Sequence, residues 1–426
     1  MIKCYKYGEV PNSEIFGREN LSAHVEDVVA EILAEVRREG DKALLAYTKR
    51  FDKAELSSLE VSEEEFREAM DQVEPAFLEV LREAAANIRA YHEKQVRGSF
   101  VMSEKDGVVL GQKVTPIEKV GLYVPNGTAA YPSTVLMDAI PAKIAGCREL
   151  VMVTPPTAEG KVDPGILAAA RVAGIDRVFK VGGAQAIAAL AYGTESVPAV
   201  YKIVGPGNAY VAEAKKQVFG KVAIDVVAGP SEVLVVADGT CDARVVAADM
   251  LAQAEHDVMS SAVLVTDDAA LAERVAKEID RQLPLLPRQE IAGASIAKNG
   301  KIIVAENLTQ AIQIANEIAP EHLELCVDDP FAYFDQIRNA GSIFLGKNSP
   351  EPLGDYFAGP NHTLPTGGIA KFASPLSVDD FVKKSQFTYY SRDALSRVAG
   401  KIALFAEKEG LHGHARSVRI RFEDEL

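Results

Sequence analysis

The chain has 426 residues, 48% of them hydrophobic and 25% charged, a globular composition long enough for two or three domains that bury their cores without disulfide staples. Asp and Glu number 61 against 46 Lys and Arg, giving a formal charge of -15. So acidic a chain disfavours nucleic acid and anionic membrane as partners, because both are neutralised by clustered Lys and Arg.

In chain order, the N-terminal stretch MIKCYKYGEVPNSEIFGREN has no apolar run of signal-peptide length. No later stretch approaches the roughly 20 apolar residues of a membrane helix, and a soluble, cytoplasmic protein is expected. Cys4, Cys147, Cys241 and Cys326 are widely spaced and form no CxxC or CxC pair. That usage suits a reducing compartment and offers no thiolate metal site. From Ser62 to Lys94 the sequence is charged and helical in period, with Ser62 as N-cap and Glu63, Glu64 and Glu65 favourable in the first turn. His24 and His92, on charged amphipathic helices, are expected to be solvated.

Beyond Gly107, short β-branched runs alternate with Ala-rich helical ones. Strands are expected at 150–154, 177–181, 201–204 and 222–227, and in a second set at 232–238, 262–266, 301–305, 322–327 and 342–346. This alternation is the signature of βαβ units, and two sets of it predict two α/β sheets. Pro and Gly crowd the segment 350–377, expected to be a long loop, and a short helical tail closes the chain at Leu426.

Five of the seven histidines, His256, His322, His362, His412 and His414, fall in the second half, each beside a carboxylate, a Gly-rich turn or another His. In DMLAQAEHD, Gln253 and His256 are three apart and share a face if the segment is helical, which suits a paired contact to a metal or substrate as well as a solvated helix end. In PEHLEL, Glu321 and His322 open a strand; adjacent Glu and His suit proton transfer, and a solvated strand end is the other reading. Asp355 and His362 lie on a glycine-punctuated loop, and Glu409 and His414 beyond a helix, with Gly410 and Gly413 as stop signals. Oxygen and nitrogen donors drawn from Gln253, His256, Asp355 and His414 would suit Zn2+. Two strand-to-helix turns, VGGAQAIA and VGPGNAY, present helix N-termini suited to phosphate or to a purely structural turn, and neither is GxGxxG.

The segments GLYVPNGTAAYPSTVLM, GGAQAIAALAYGTESV, VGPGNAYVAEAKK, DVVAGPSEVLVVAD, DMLAQAEHD, APEHLEL, GDYFAGPNHTLPTGG and AEKEGLHGHARSVRIR occur in order over most of the chain. Together they resemble the histidinol dehydrogenase family. The resemblance implies an α/β fold of two Rossmann-like parallel-sheet domains with helical N- and C-terminal extensions. It implies an N-terminal extension at 1–21, a main domain from 22–122 with 231–376, an NAD-binding domain at 123–230, and a dimerisation tail at 377–426. It implies oxidation of L-histidinol through L-histidinaldehyde to L-histidine with two NAD+, the final steps of histidine biosynthesis.

Carried over by motif, the resemblance makes Gln253, His256, Asp355 and His414 the ligands of one zinc ion per subunit and Glu321 with His322 the catalytic pair. NAD contacts fall on Tyr123, Gln185 and Asn208. Substrate contacts fall on Ser231, His322, His362, Glu409 and the metal ligands. His412 has no assigned role. A homodimer is implied in which the tail completes the partner's site. A paralogous zinc and NAD enzyme acting on a sulfonated diol, a metal-dependent hydrolase, and a purely structural metal site are the competing readings.

Overall fold

The computed structural model describes residues 2–18, 25–126 and 130–425. His24, residues 19–21 of the expected N-terminal extension, and residues 127–129 of GLYVPNGTAAYPSTVLM lie outside them. The chain divides into two compact units, Met1–Gln95 with Ile117–Phe381, and Val96–Pro116 with Val382–Leu426.

Each expected β-branched run of the first unit holds a strand, and the strands form two parallel sheets. One has five strands in the order Arg177–Lys180, Glu149–Thr154, Lys119–Tyr123, Lys202–Val204 and Ala223–Ile224. The other has six, in the order Lys3–Lys6, Lys301–Val304, Ser261–Thr266, Glu232–Ala237, His322–Cys326 and Ser342–Leu345. In the five-stranded sheet, and in the six-stranded one from Glu232–Ala237 onward, the chain starts at a central strand, winds outward on one side, then returns to the other, which is the doubly wound pattern. The six-stranded sheet gains Lys3–Lys6 at its edge, in register with Lys301–Val304. The N-terminal extension thus carries a strand as well as helices.

The strands are largely apolar because helices cover both faces of each sheet; Glu232–Ala237 is buried at every position. The helices Pro132–Ala145 and Pro164–Ala173 pack on one face of the five-stranded sheet, with Phe66, Leu81 and Ile88 of two N-terminal helices behind them. On the opposite face lie Gly183–Tyr192 and Ala209–Val218, backed by Glu26–Glu39 and Asp41–Phe51.

Ser62 caps Glu63–Gln72 through a reciprocal box with Glu65, as its sequence predicts. The period does not run unbroken to Lys94, since Pro75 starts a second helix, Pro75–His92. His92 ends that helix fully buried, so its expected solvation is corrected: the helix turns its last residue inward. The segment 350–377 is also more ordered than a loop. A turn at Glu351–Leu353 runs into a π-helical turn at Gly354–Ala358, pressed so closely on the Ser342–Leu345 strand that a Cβ on Gly354 would lie 2.5 Å from the Phe344 ring.

In the five-stranded sheet, Gly205 follows the Lys202–Val204 strand with φ +115, and a Cβ there would sit 2.2 Å from the Tyr123 carbonyl oxygen. Its amide donates to Asp225 Oδ2 at 2.8 Å and its carbonyl accepts from the buried Lys215 Nζ at 2.9 Å. Gly205→Ala is therefore expected to cost about 2 kcal/mol or more, from the positive φ and the clash together. A urea midpoint that does not move would contradict this.

The second unit is an antiparallel sheet in the order Val382–Tyr390, Val108–Pro116, Phe100–Met102, followed by helices Arg392–Lys408 and His412–Arg419. The tail therefore carries a nine-residue strand as well as helices. Its sequence VKKSQFTYY conceals this because nearly every position is exposed, so no apolar alternation marks a buried face.

Candidate active site

His322 is the first residue of its strand, in register with Val233 on one side and Ser342 on the other. The pair Glu321–His322 therefore sits at the amino edge of the six-stranded sheet. Both side chains are buried, not solvated as one reading of a strand end allows. The backbone of Glu232 fixes both: its N–H donates to Glu321 Oε2 at 2.8 Å, and its carbonyl lies 3.1 Å from His322 Nδ1. A carbonyl only accepts, so Nδ1 carries a proton. Arg18 in turn grips the Glu232 carboxylate, with Nε to Oε1 and Nη2 to Oε2 both at 2.9 Å.

The far nitrogen, His322 Nε2, faces Asp355 Oδ1 at 3.2 Å. Burial opposes charge on this imidazole, but Glu351, Glu321 and Asp355 outweigh it and raise its pKa well above the histidine norm. Burial also pushes Glu321 up to about 8, only partly offset by the charge of His322 and the Glu232 amide. Glu351 rises to about 7 for the same reason, offset by His322. Burial works against ionised Asp355 as well, yet its bond to His322 and the charge of that imidazolium hold it below its usual range.

Asp355 Oδ1 can bond the His322 Nε2 proton or take part in a cation site. One such choice moves the proton affinity of His322, because the carboxylate is a main partner of the imidazolium.

Gln253 is fully buried on Ala243–Ala254. Its amide is satisfied with the nitrogen toward Glu351 Oε2 at 3.1 Å and the Glu232 carbonyl at 3.3 Å, which turns the amide oxygen to the opposite side. The helix ends at Ala254, so His256 does not share a helical face with Gln253 as expected. Glu255 closes the helix, and a tight turn bonds His256 N–H to the Gln253 carbonyl at 3.2 Å. Burial lowers the His256 pKa and favours the neutral ring that a metal requires.

His362 is held at both nitrogens: Nδ1 lies 2.9 Å from the Asp355 carbonyl and Nε2 3.2 Å from Thr134 Oγ1. The carbonyl again fixes the tautomer, with Nδ1 protonated and Nε2 accepting from the threonine hydroxyl. Ser231 is half-buried immediately before Glu232.

The structure thus brings His322, Glu351 and Asp355 together, their ligand atoms within 4.8 Å of one another. Glu351 joins this cluster although the sequence around it reads as loop. Its signal was the spacing of four to Asp355 in EPLGD, which places both carboxylates on one side of a helical turn once the segment is read as helical.

Glu409 and His414 belong to the other unit, where both are exposed. Glu409 ends Arg392–Lys408 and His414 lies in the first turn of His412–Arg419. Gly410, at φ +76, is a stop as expected; Gly413 is not, since it lies inside the second helix.

Tyr123, Gln185 and Asn208 gather at the carboxyl edge of the five-stranded sheet, and each has a structural duty. The Tyr123 hydroxyl accepts from Gly183 N–H at 3.1 Å, Gln185 is buried in the first turn of Gly183–Tyr192, and Asn208 Oδ1 caps the helix Ala209–Val218.

A family model described as histidinol dehydrogenase matches residues 17–422. A histidinol dehydrogenase of Bacillus cereus (strain ATCC 14579) is 56% identical over 411 residues, 96% of this chain and 96% of its own. One from Listeria monocytogenes is 53% identical over 406 residues, 95% of each chain. The crystal structure of histidinol dehydrogenase from Elizabethkingia anophelis superposes with a TM-score of 0.93 at 38% identity, covering 99% of this chain and 98% of that one.

Proposed function

Because the chain belongs to the histidinol dehydrogenase family, we propose that it oxidises L-histidinol through L-histidinaldehyde to L-histidine, using two NAD+ and one zinc ion per subunit. The observation that carries this reading is the buried Glu321–His322 pair, each side chain held by the same Glu232 peptide and facing a cluster of carboxylates.

The donor set fits zinc. Gln253 offers an amide oxygen, His256 a ring that burial keeps neutral and Asp355 a carboxylate, with no thiolate required. Three carboxyl groups surround a single imidazole in buried space, and a bound cation would favour their ionised forms. His414 supplies the fourth ligand in this reading, from the partner subunit of a homodimer. When bound, zinc would anchor the imidazole and amine of histidinol and fix its carbinol carbon; NAD+ supplies the hydride acceptor.

The chain's own residues do the proton work. The proton that His322 Nε2 shares with Asp355 must leave first; the bare Nε2 then takes the carbinol proton while the Glu232 carbonyl holds Nδ1–H and keeps the ring oriented. In the second oxidation Glu321, held at Oε2 by the Glu232 amide, takes a proton from the water that adds to the aldehyde. Ser231, His362 and the partner's Glu409 hold the substrate. Tyr123, Gln185 and Asn208 border the NAD+ site at the switch point of the five-stranded sheet, where doubly wound folds place dinucleotides. No helix among the described residues is long and apolar enough to cross a membrane, and cytoplasmic residence suits an enzyme of amino-acid synthesis.

The test is stoichiometry. Two NADH per histidine are expected from histidinol, with activity lost on chelation and restored by zinc. One NADH per substrate, with aldehyde released, would sink the four-electron reading; product formation without NADH would place the chain among hydrolases.

A further inference from the structure

His92 is buried at the end of Pro75–His92, and nothing in the proposed chemistry uses it. Its Nδ1 lies 2.7 Å from Gln95 Oε1, and its Nε2 lies 3.5 Å from Asn361 Nδ2. Both amides are oriented from elsewhere. Gln95 Oε1 also accepts from the Val378 N–H at 3.1 Å, so an oxygen faces Nδ1. Asn361 Nδ2 donates to the Met137 carbonyl at 2.7 Å while its Oδ1 accepts from the Thr363 N–H at 2.8 Å, so a nitrogen faces Nε2. One imidazole state satisfies both neighbours: Nδ1 protonated and donating, Nε2 bare and accepting. Burial, which lowers the His92 pKa, favours the same neutral ring.

Asn361 and Thr363 bracket His362. Thr363 Oγ1 donates to Asp138 Oδ1 at 2.9 Å. Asn361, His362 and Thr363 are therefore all bonded to the one helix Pro132–Ala145, through Met137, Thr134 and Asp138. His92 supplies the acceptor for the second Asn361 amide proton. Without it, a buried amide proton is unpaired and the residue can turn, taking the adjoining backbone with it.

We infer that His92 is a positioning residue for the known reaction of this family: through Asn361 it sets the backbone from which His362 reaches the substrate. The inference rests on the reading of His362 as a substrate contact.

His92→Phe keeps the ring volume and removes both nitrogens. Its KM for histidinol is expected to rise about ten- to a hundredfold, while the KM for NAD+ and the zinc content stay near wild type. His92→Gln can place an amide oxygen where Nε2 stood, and should recover most of the loss. A folded Phe variant with an unchanged histidinol KM, or a Gln variant no better than Phe, would overturn the inference. Should the Phe variant not fold, imidazole nitrogen chemical shifts of the wild-type holoenzyme decide. The neutral Nδ1–H form is expected at neutral pH, and a charged or Nε2–H ring at His92 would overturn it. Absence of histidinol oxidation in the wild type would count against the proposed function, and leaves the chemical-shift result to judge His92 alone.

Discussion

His322→Asn should lower kcat for histidinol oxidation by about two to four orders of magnitude, the range lost with a positioned general base, while changing KM only a few-fold. An asparagine amide nitrogen can stand where Nδ1 stands and keep the bond to the Glu232 carbonyl, now 3.1 Å long. The strand edge should therefore survive. Nothing in asparagine reaches the position of Nε2, which faces Asp355 Oδ1 at 3.2 Å and is the ring atom proposed to take the carbinol proton. The measurement is NADH formation from histidinol, with circular dichroism and zinc content as controls. A folded, zinc-loaded variant within about tenfold of wild type would remove His322 from the role of base.

Glu321→Gln should separate the two half-reactions. The amide oxygen can accept from the Glu232 N–H as Oε2 does at 2.8 Å, so the geometry is kept and the basicity is lost. Oxidation of histidinaldehyde should fall by about two orders of magnitude or more, because hydration of the aldehyde loses its base. Alcohol oxidation, which needs no added water, should fall much less. In the variant NADH per histidinol approaches one and the aldehyde can be trapped. Burial raises the Glu321 carboxyl to about 8, so the base form grows as pH rises. The aldehyde step in the wild type should accelerate with pH into the alkaline range, and that rising limb should be missing in the Gln variant. Equal losses in both half-reactions would show that the pair does not divide its labour in this way.

Features legible in the sequence differ from those that are not in the range of the interactions behind them. Ser62 with Glu65 is a cap closed within one helical turn, and it forms as written. The proposed catalytic pair is legible because Glu321 and His322, two residues of the right chemistry, stand together at the start of a strand. Glu232 escaped notice although it holds both members, since it acts through its peptide group, which every residue possesses. Glu351 escaped because a Pro- and Gly-rich segment reads as loop, and the helical turn that aligns it with Asp355 is shaped by packing on Phe344.

By itself the sequence determined two parallel α/β sheets, because largely apolar, β-branched runs alternating with helical ones are covered from both faces. It also determined the residue types of the site, whose chemistry is a property of single side chains. Tertiary structure alone decided which of them meet, which nitrogen of each imidazole bears the proton, and that His92 is a neutral internal strut where a solvated histidine was expected. Those outcomes depend on burial and on partners such as Asn361, 269 positions away, and proton affinity is set by the local field and solvation that only the folded chain creates.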